Sequence, residues 1–157
     1  MCKRKKQIER EFHDATFRKK ESPDKAKTKY AVGGQTVLSD ELVNKIGAER
    51  IAGDNRNETN AEVLNKFYSE TELDKVYVAK DGVGSEKHTS ALVDALAAGP
   101  LAGKEAAPVM LVGPKLDNGQ EAYLKERTAG KLIEVGNGIN QNAVENIIKD
   151  LEVKDIE

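Results

Sequence analysis

The chain has 157 residues, of which 33% are charged and 38% hydrophobic, and its formal net charge is −2. That length is enough for one domain with its own core, and no run approaches the roughly 18 apolar residues of a membrane-spanning helix. The lone Cys2 and the distant pair His13 and His88 exclude an internal disulfide and CxxC-type metal or redox sites, and they argue against a zinc centre.

Residues 1–29 hold eleven Lys/Arg against five Asp/Glu, and the remaining 128 hold 14 against 22. Two different materials therefore meet near Lys29. MCKRKK opens like the first part of an export signal, but QIEREFHD follows where an apolar stretch would be needed. Ser22-Pro23-Asp24 breaks a weak helical stripe of Ile8, Phe12 and Phe17. A basic, partly disordered N-terminal arm is expected. A KRKK-type patch is a weak signal on its own, and no nucleic-acid partner is assigned.

From Tyr30 onward, strands and helices alternate. TKYAVGG reads as a strand ending in glycines. SDELVNKI reads as a helix capped by Ser39, with Leu42, Val43 and Ile46 on one face. ERIAG is a second short strand. Thr59 is expected to cap a helix through Ala61, Val63, Leu64, Phe67 and Tyr68. Lys75–Ala79 is a strand. A helix starts at Thr89 or Ser90 and runs through Leu92, Ala95, Leu96 and Leu101, with Gly99-Pro100 expected to break the apolar run. PVMLVG is a buried-type strand, GQEAYLKER a helix, KLIEVGNG a strand, and QNAVENIIKDL a closing helix. This order predicts an α/β fold, a mainly parallel sheet flanked by helices. Ligands of such sheets sit at the carboxyl ends of strands, which points to Gly33-Gly34, Lys80-Asp81-Gly82, Gly113-Pro114 and Gly136-Asn137-Gly138.

RIAGDNRNET, residues 50–59, crowds two arginines, an Asp, a Glu and a Gly before a helix. It reads as an active-site rim, an anion cradle or a well-capped loop. A helix start near Thr59 offers N–H groups and positive dipole potential to a phosphate, and Arg56 adds a fork. Equally, Arg50 and Arg56 can pair with Asp54, Glu58 or Asp94 and lock the loop. GVGSEKHTS lacks the Gly-Lys-Ser/Thr ending of a phosphate loop. Asp81, His88 and Asp94 with Ser85 or Ser90 make a conceivable hydrolytic set, but no nucleophile elbow accompanies them.

YAVGGQTVLSDELVNKI and IEVGNGINQNAVENII echo each other. Val32-Gly33 matches Val135-Gly136; after a gap, Val37 matches Ile139, Leu42 matches Val144 and Ile46 matches Ile148. Such an echo suggests a repeated module.

The anchors Arg50, Gly53, Arg56, Glu58 and Thr59 in RIAGDNRNETNAEV resemble the opening signature of the clostridial cell-wall-binding repeat of the second type, found in the surface-layer proteins of Clostridioides difficile. Val93–Val112 is similar to the family's Asp-Ala-Leu, Pro-Leu-Ala and Pro-hydrophobic segments, and VGG and VGNG to its closing strand. The resemblance implies a Rossmann-like three-layer module with no enzymatic role and no cofactor or metal. It implies non-covalent anchoring, at the cell wall or cell surface, to an anionic secondary cell wall polymer. Other repeats, within the chain or in another copy, are the second expected partner, and no membrane span is expected. On this reading 1–29 is the arm, 30–49 the C-terminal part of a preceding repeat, 50–151 one complete repeat and 152–157 a tail, a truncated one-and-a-part set without an export signal. Arg50, Asp54, Arg56, Asn57 and Thr59 are the polymer-binding candidates. The alternative is a nucleotide- or sugar-phosphate-binding Rossmann-like protein or enzyme.

Overall fold

The computed structural model describes residues 27–83, 88–153 and 155–156. The expected arm, apart from Lys27–Lys29, lies outside the described residues, as do Ser85 and the side chains of His88 and Ser90. The elements are β1 (Tyr30–Val32), α1 (Asp40–Ile46), β2 (Glu49–Ile51), α2 (Arg56–Phe67), β3 (Glu72–Lys80), α3 (His88–Lys104), β4 (Val109–Val112), α4 (Asn118–Lys125), β5 (Thr128–Val135), α5 (Gln141–Leu151) and β6 (Asp155–Ile156). Every described strand pair is parallel. One sheet has the order β4-β3-β5-β6, and β1 pairs with β2 in a separate two-stranded sheet.

The strand period of two explains the layering. Val76 and Val78 of β3 point to one face, where they meet Leu64 of α2, Tyr123 and Leu124 of α4, and Val144, Ile147 and Leu151 of α5. Tyr77 points to the other face, where it packs with Ala102 of α3, Ala107, Ile133 and Val135. The module is therefore a Rossmann-like three-layer sandwich, with α2, α4 and α5 on one side of the main sheet and, among the described residues, α3 on the other. β3 is the central strand, and Val76–Ala79 are all buried, as a parallel strand covered on both faces requires.

Helix α3 continues through Gly99-Pro100 to Lys104, in line with the expected helix through Leu101. Pro100 removes one N–H from the helical ladder, but Leu96, whose carbonyl it frees, is 73% exposed, so that carbonyl need not be buried. Helix α4 follows Asp117, whose backbone N–H donates to the Gln120 side chain at 3.2 Å. The fully buried Gln120 also donates to the Leu111 carbonyl at 2.7 Å.

The echo seen in the sequence is structural. β1–α1–β2 and β5–α5–β6 are two strand–helix–strand units with parallel outer strands. The helix caps correct its register by one residue. Ser39 accepts from the Leu42 N–H and Asn140 from the Ala143 N–H, which aligns Ser39 with Asn140, Leu38 with Ile139 and Val43 with Val144. Val43 and Val144 are both buried. The units differ in support. The inner face of α5 is buried in the core, but on α1 Leu42 and Ile46 are 45% and 39% exposed, and Val37 before it is 77% exposed. β5 has β3 beside it, whereas β1 has only β2 among the described residues.

At the amino end of β3, the Tyr77 hydroxyl donates to Glu105 Oε2 at 2.5 Å and Lys75 Nζ lies 2.9 Å from the same oxygen. The carboxylate bond, then burial, raise the Tyr77 pKa from 10.0 to about 12. The hydroxyl is thus easier to ionise in the unfolded chain. The stability this supplies is complete below pH 10.0 and is lost as pH rises toward about 12. Tyr123 is raised to about 12 as well, mainly by burial. Tyr77→Phe is expected to shrink, and Tyr77→Phe with Tyr123→Phe to shrink further, the fall in urea midpoint across that window, measured by circular dichroism.

Candidate functional site

The RIAGDNRNET stretch leaves β2, turns at Gly53 and enters α2. The helix begins at Arg56, four residues earlier than Thr59 would set it. Asn55 is the N-cap, and its Oδ1 accepts from the Asn57 and Glu58 N–H groups at 2.7 and 2.9 Å. Thr59 lies in the first turn. Its Oγ1 accepts from the Gly53 N–H at 3.0 Å, and its own N–H donates to the Asn55 carbonyl at 2.9 Å. The helix-end donors expected to greet an anion are thus largely taken from within, and contact with a phosphate falls to side chains.

Each of the other signature residues reaches a different part of the fold. Arg50 stands on β2 and donates to the Gly33 carbonyl at 2.5 Å, the Leu38 carbonyl at 2.6 Å and Asp40 Oδ1 at 2.9 Å. Its partner is Asp40, not Asp54, Glu58 or Asp94 as the sequence suggests. Arg56 donates from Nη1 to the Asp81 carbonyl, at the end of β3. Asn57 donates to Asp81 Oδ2 at 3.1 Å, and Oδ1 of the same carboxylate accepts from the Val83 N–H at 2.9 Å. Asp81 is 5% exposed. Gly113, at the end of β4, is held against it: a Cβ there would lie 2.7 Å from Asp81 Oδ2 and 3.3 Å from Asn57 Nδ2. Asn57 Oδ1 is buried with no donor among the described residues.

Two further contacts tie α2 to α4. Asn55 Nδ2 donates to Asp117 Oδ2 at 2.7 Å, and Glu58 Oε1 accepts from the Gly119 N–H at 3.2 Å. Glu58 thereby places a carboxylate at the first turn of α4, where the helix dipole favours it. Asn60, one turn on, pairs with the edge of β4: its Nδ2 donates to the Val109 carbonyl and its Oδ1 accepts from the Leu111 N–H, both at 2.9 Å.

Sequence reasoning missed Asn55, Asn60 and Asp117. The signal for Asn55 was present, since Asn-x-x-Glu is the pattern of a helix start. No local pattern marks Asn60, because its partners lie on β4.

The stretch also borders a cavity of about 510 Å³ between the β1–β2 unit and α2, lined by Gly33, Val37, Asp54, Arg56, Thr59 and Val63 among others. Asp54 and Arg56 are exposed, and Asn57 and Thr59 half-buried. A larger opening, about 650 Å³, lies at the amino ends of the strands among Glu70, Glu72, Asp74, Lys75 and Glu105. Its acidic lining disfavours an anion.

Residues 50–145 match the family described as Cell wall binding domain 2. The chain belongs to that family. The match begins at Arg50, whose side chain is clasped by residues that precede it, and it ends inside α5. Among solved structures, Cwp8 from Clostridium difficile is 40% identical over 82% of this chain and 22% of its own length, with a TM-score of 0.72. Cwp6 from Clostridium difficile is 30% identical over 78% of this chain and 20% of its own length, with a TM-score of 0.66. The chain therefore spans about a fifth of either protein. A comparison with curated proteins finds no match. The family is a binding domain, and the chain carries a cell-wall-binding module, associated with the wall or surface.

Proposed function

We propose that this module anchors its protein non-covalently, and without catalysis, to an anionic, phosphate-bearing polymer of the wall. The contact is made by Arg56 at the cavity beside α2, with Asp54, Asn57 and Thr59 shaping its rim. Arg50 supports the wall of that cavity by fixing the Gly33–Asp40 turn. The observation that carries this reading is the position of Arg56. It is exposed beside an open cavity at the positive end of a helix and has one hydrogen bond among the described residues, to the Asp81 carbonyl. A guanidinium retains further donors after one bond and pairs with phosphate through two of them. Residues 30–157 are acidic overall, so long-range attraction does not recruit a polyanion, and recognition must be local.

Association with other repeats completes the proposal. Val93, Leu96 and Leu101 are 54%, 73% and 48% exposed on α3, and Leu42 and Ile46 are exposed on α1; each helix thus offers apolar side chains that a neighbouring repeat could cover.

The test is cosedimentation with Gram-positive cell walls, intact and after acid removal of their phosphate-linked polymers. Binding to the intact wall that disappears with the polymer is expected. Equal binding to both preparations would assign the target to peptidoglycan and refute the polymer reading.

A further inference from the structure

Only two asparagines in the sequence are followed by glycine, Asn118 and Asn137. An asparagine so placed can lose its side-chain amide without an enzyme. The nitrogen of the next residue attacks the amide carbon, and a glycine has no side chain to hinder the approach. The fold treats the two pairs in opposite ways.

Asn118-Gly119 opens α4. Helical backbone angles fix the asparagine side chain relative to the following nitrogen, and the Gly119 N–H is already given to Glu58 Oε1 at 3.2 Å. A Cβ on Gly119 would run into Glu58 and Ala61, so the space around it is filled as well. Asn137-Gly138 lies in the turn between β5 and α5, outside any helix or strand, and both residues are exposed. The Gly138 N–H has no hydrogen bond among the described residues. Lys80, at the end of β3, reaches the same turn: a Cβ on Gly138 would lie 3.0 Å from its Nζ. The Asp94 carboxylate packs on Gly136, one residue before Asn137, so the charge beside the attacking nitrogen is the cation.

We propose that Asn137 is a self-modification site, which deamidates in the folded chain through a cyclic imide with the help of Lys80, while Asn118 is protected. The bond from the Gly138 nitrogen to Asn137 Cγ forms and the Cγ–Nδ2 bond breaks. The proton of the Gly138 N–H leaves with the amide nitrogen as ammonia. Water then opens the imide at either carbonyl. Cleavage at Cγ leaves aspartate, and cleavage at the backbone carbon leaves isoaspartate, in which the main chain runs through the former side chain. Lys80 stabilises the negative charge that develops on the attacking nitrogen and the tetrahedral oxygen, and afterwards it faces the new carboxylate. Isoaspartate adds a carbon to the main chain just before the buried Ile139 and the Asn140 cap of α5, so the modified chain enters α5 differently. None of this depends on the polymer.

The full chain is kept folded at mildly alkaline pH and sampled by peptide mapping with mass spectrometry, which reads each amide that becomes an acid. A parallel sample in urea gives the rates of the unfolded chain. Position 137 is expected to convert in the folded chain and position 118 to lag it by about tenfold or more, as protection by local structure requires, whereas in urea the two convert alike. Lys80→Gln is expected to slow position 137 about fivefold in the folded chain, the effect of one unit charge at about 4 Å in water, and to leave the urea rate unchanged. Continued protection of Asn118 reports that this variant is folded. Equal rates at the two positions in the folded chain, or an Asn137 that reacts only in urea, would overturn the proposal. Conversion of Asn137 at the parent rate in a folded Lys80→Gln chain would overturn the part assigned to Lys80.

Discussion

Replacing Gly53 with alanine is expected to destabilise the module by about 3 kcal/mol, at the upper end of what overpacking costs. A Cβ at Gly53 would lie 2.6 Å from the Glu58 carbonyl carbon and 2.8 Å from the Thr59 nitrogen. Both are backbone atoms of the first turn of α2, so no side chain can swing aside to make room. The turn must move, and with it go the Thr59 bond to the Gly53 N–H, the Asn55 cap and the Glu58 contact with α4. The urea midpoint reads the effect. A midpoint within experimental scatter of the parent would mean that the chain from β2 to α2 is not held as described. Gly99→Ala is the matched control, since a Cβ there meets nothing within 4 Å, and it should be neutral or mildly stabilising.

Asn60→Ala is expected to cost about 2–3 kcal/mol. The Asn60 amide supplies both a donor and an acceptor to β4, the edge strand of the main sheet. Removing it leaves the Val109 carbonyl and the Leu111 N–H without those partners, at about 1–3 kcal/mol for each group that stays buried. Water reaching these half-buried groups would recover part of the loss, so the bottom of the summed range applies. Asn60→Asp separates the two bonds: it keeps the acceptor for the Leu111 N–H but sets an anionic oxygen against the Val109 carbonyl. It should therefore be at least as damaging at pH 7 as the alanine. Amide hydrogen exchange at Leu111 gives a site-specific check, with protection expected to fall in both variants and to persist in Gly99→Ala.

These two residues show what the sequence could and could not disclose. Gly53 was visible as an anchor of the Arg-x-x-Gly signature, but the reason for it, contact with the helix five and six residues ahead, needs the turn in three dimensions. Asn60 was invisible, because an asparagine on a half-buried helix face has no local pattern that names a strand 49 residues away as its partner. Strands β1 to β5 were legible as short apolar runs followed by glycine, whereas β6 lies in 152–157, expected as a tail without structure of its own. The echo was legible because both units repeat the same strand, glycine turn and capped helix.

Where two local signals competed, tertiary contacts chose. Asn55 and Thr59 are both good capping residues, and the Asp117 carboxylate, which holds the Asn55 side chain from 62 residues away, accompanies the earlier start. Gly99-Pro100 interrupts the apolar run, while α3 continues through it as expected, packed on β3 through residues such as Ala102. Of the five candidate binding residues, the sequence singled out Arg56 for its fork but did not disclose what the other four already hold. The structure separates them by what their side chains already hold. Arg50 has three intramolecular acceptors, Thr59 bonds Gly53 and Asn57 bonds Asp81, while Asp54 and Arg56 are exposed at the cavity.

That separation makes Arg56 the direct test of the proposed anchoring. The affinity of the purified phosphate-bearing wall polymer should be measured by isothermal titration for the parent chain and for Arg56→Gln, beside their urea midpoints. The substitution removes one charge-assisted hydrogen bond to the Asp81 carbonyl, worth about 1.5–3 kcal/mol of stability at most, and the charge that would pair with phosphate. A loss of affinity of tenfold or more, with stability changed by no more than that one bond, is the expected result. Unchanged affinity in a folded Arg56→Gln chain would contradict the account and move polymer recognition away from the mouth of α2.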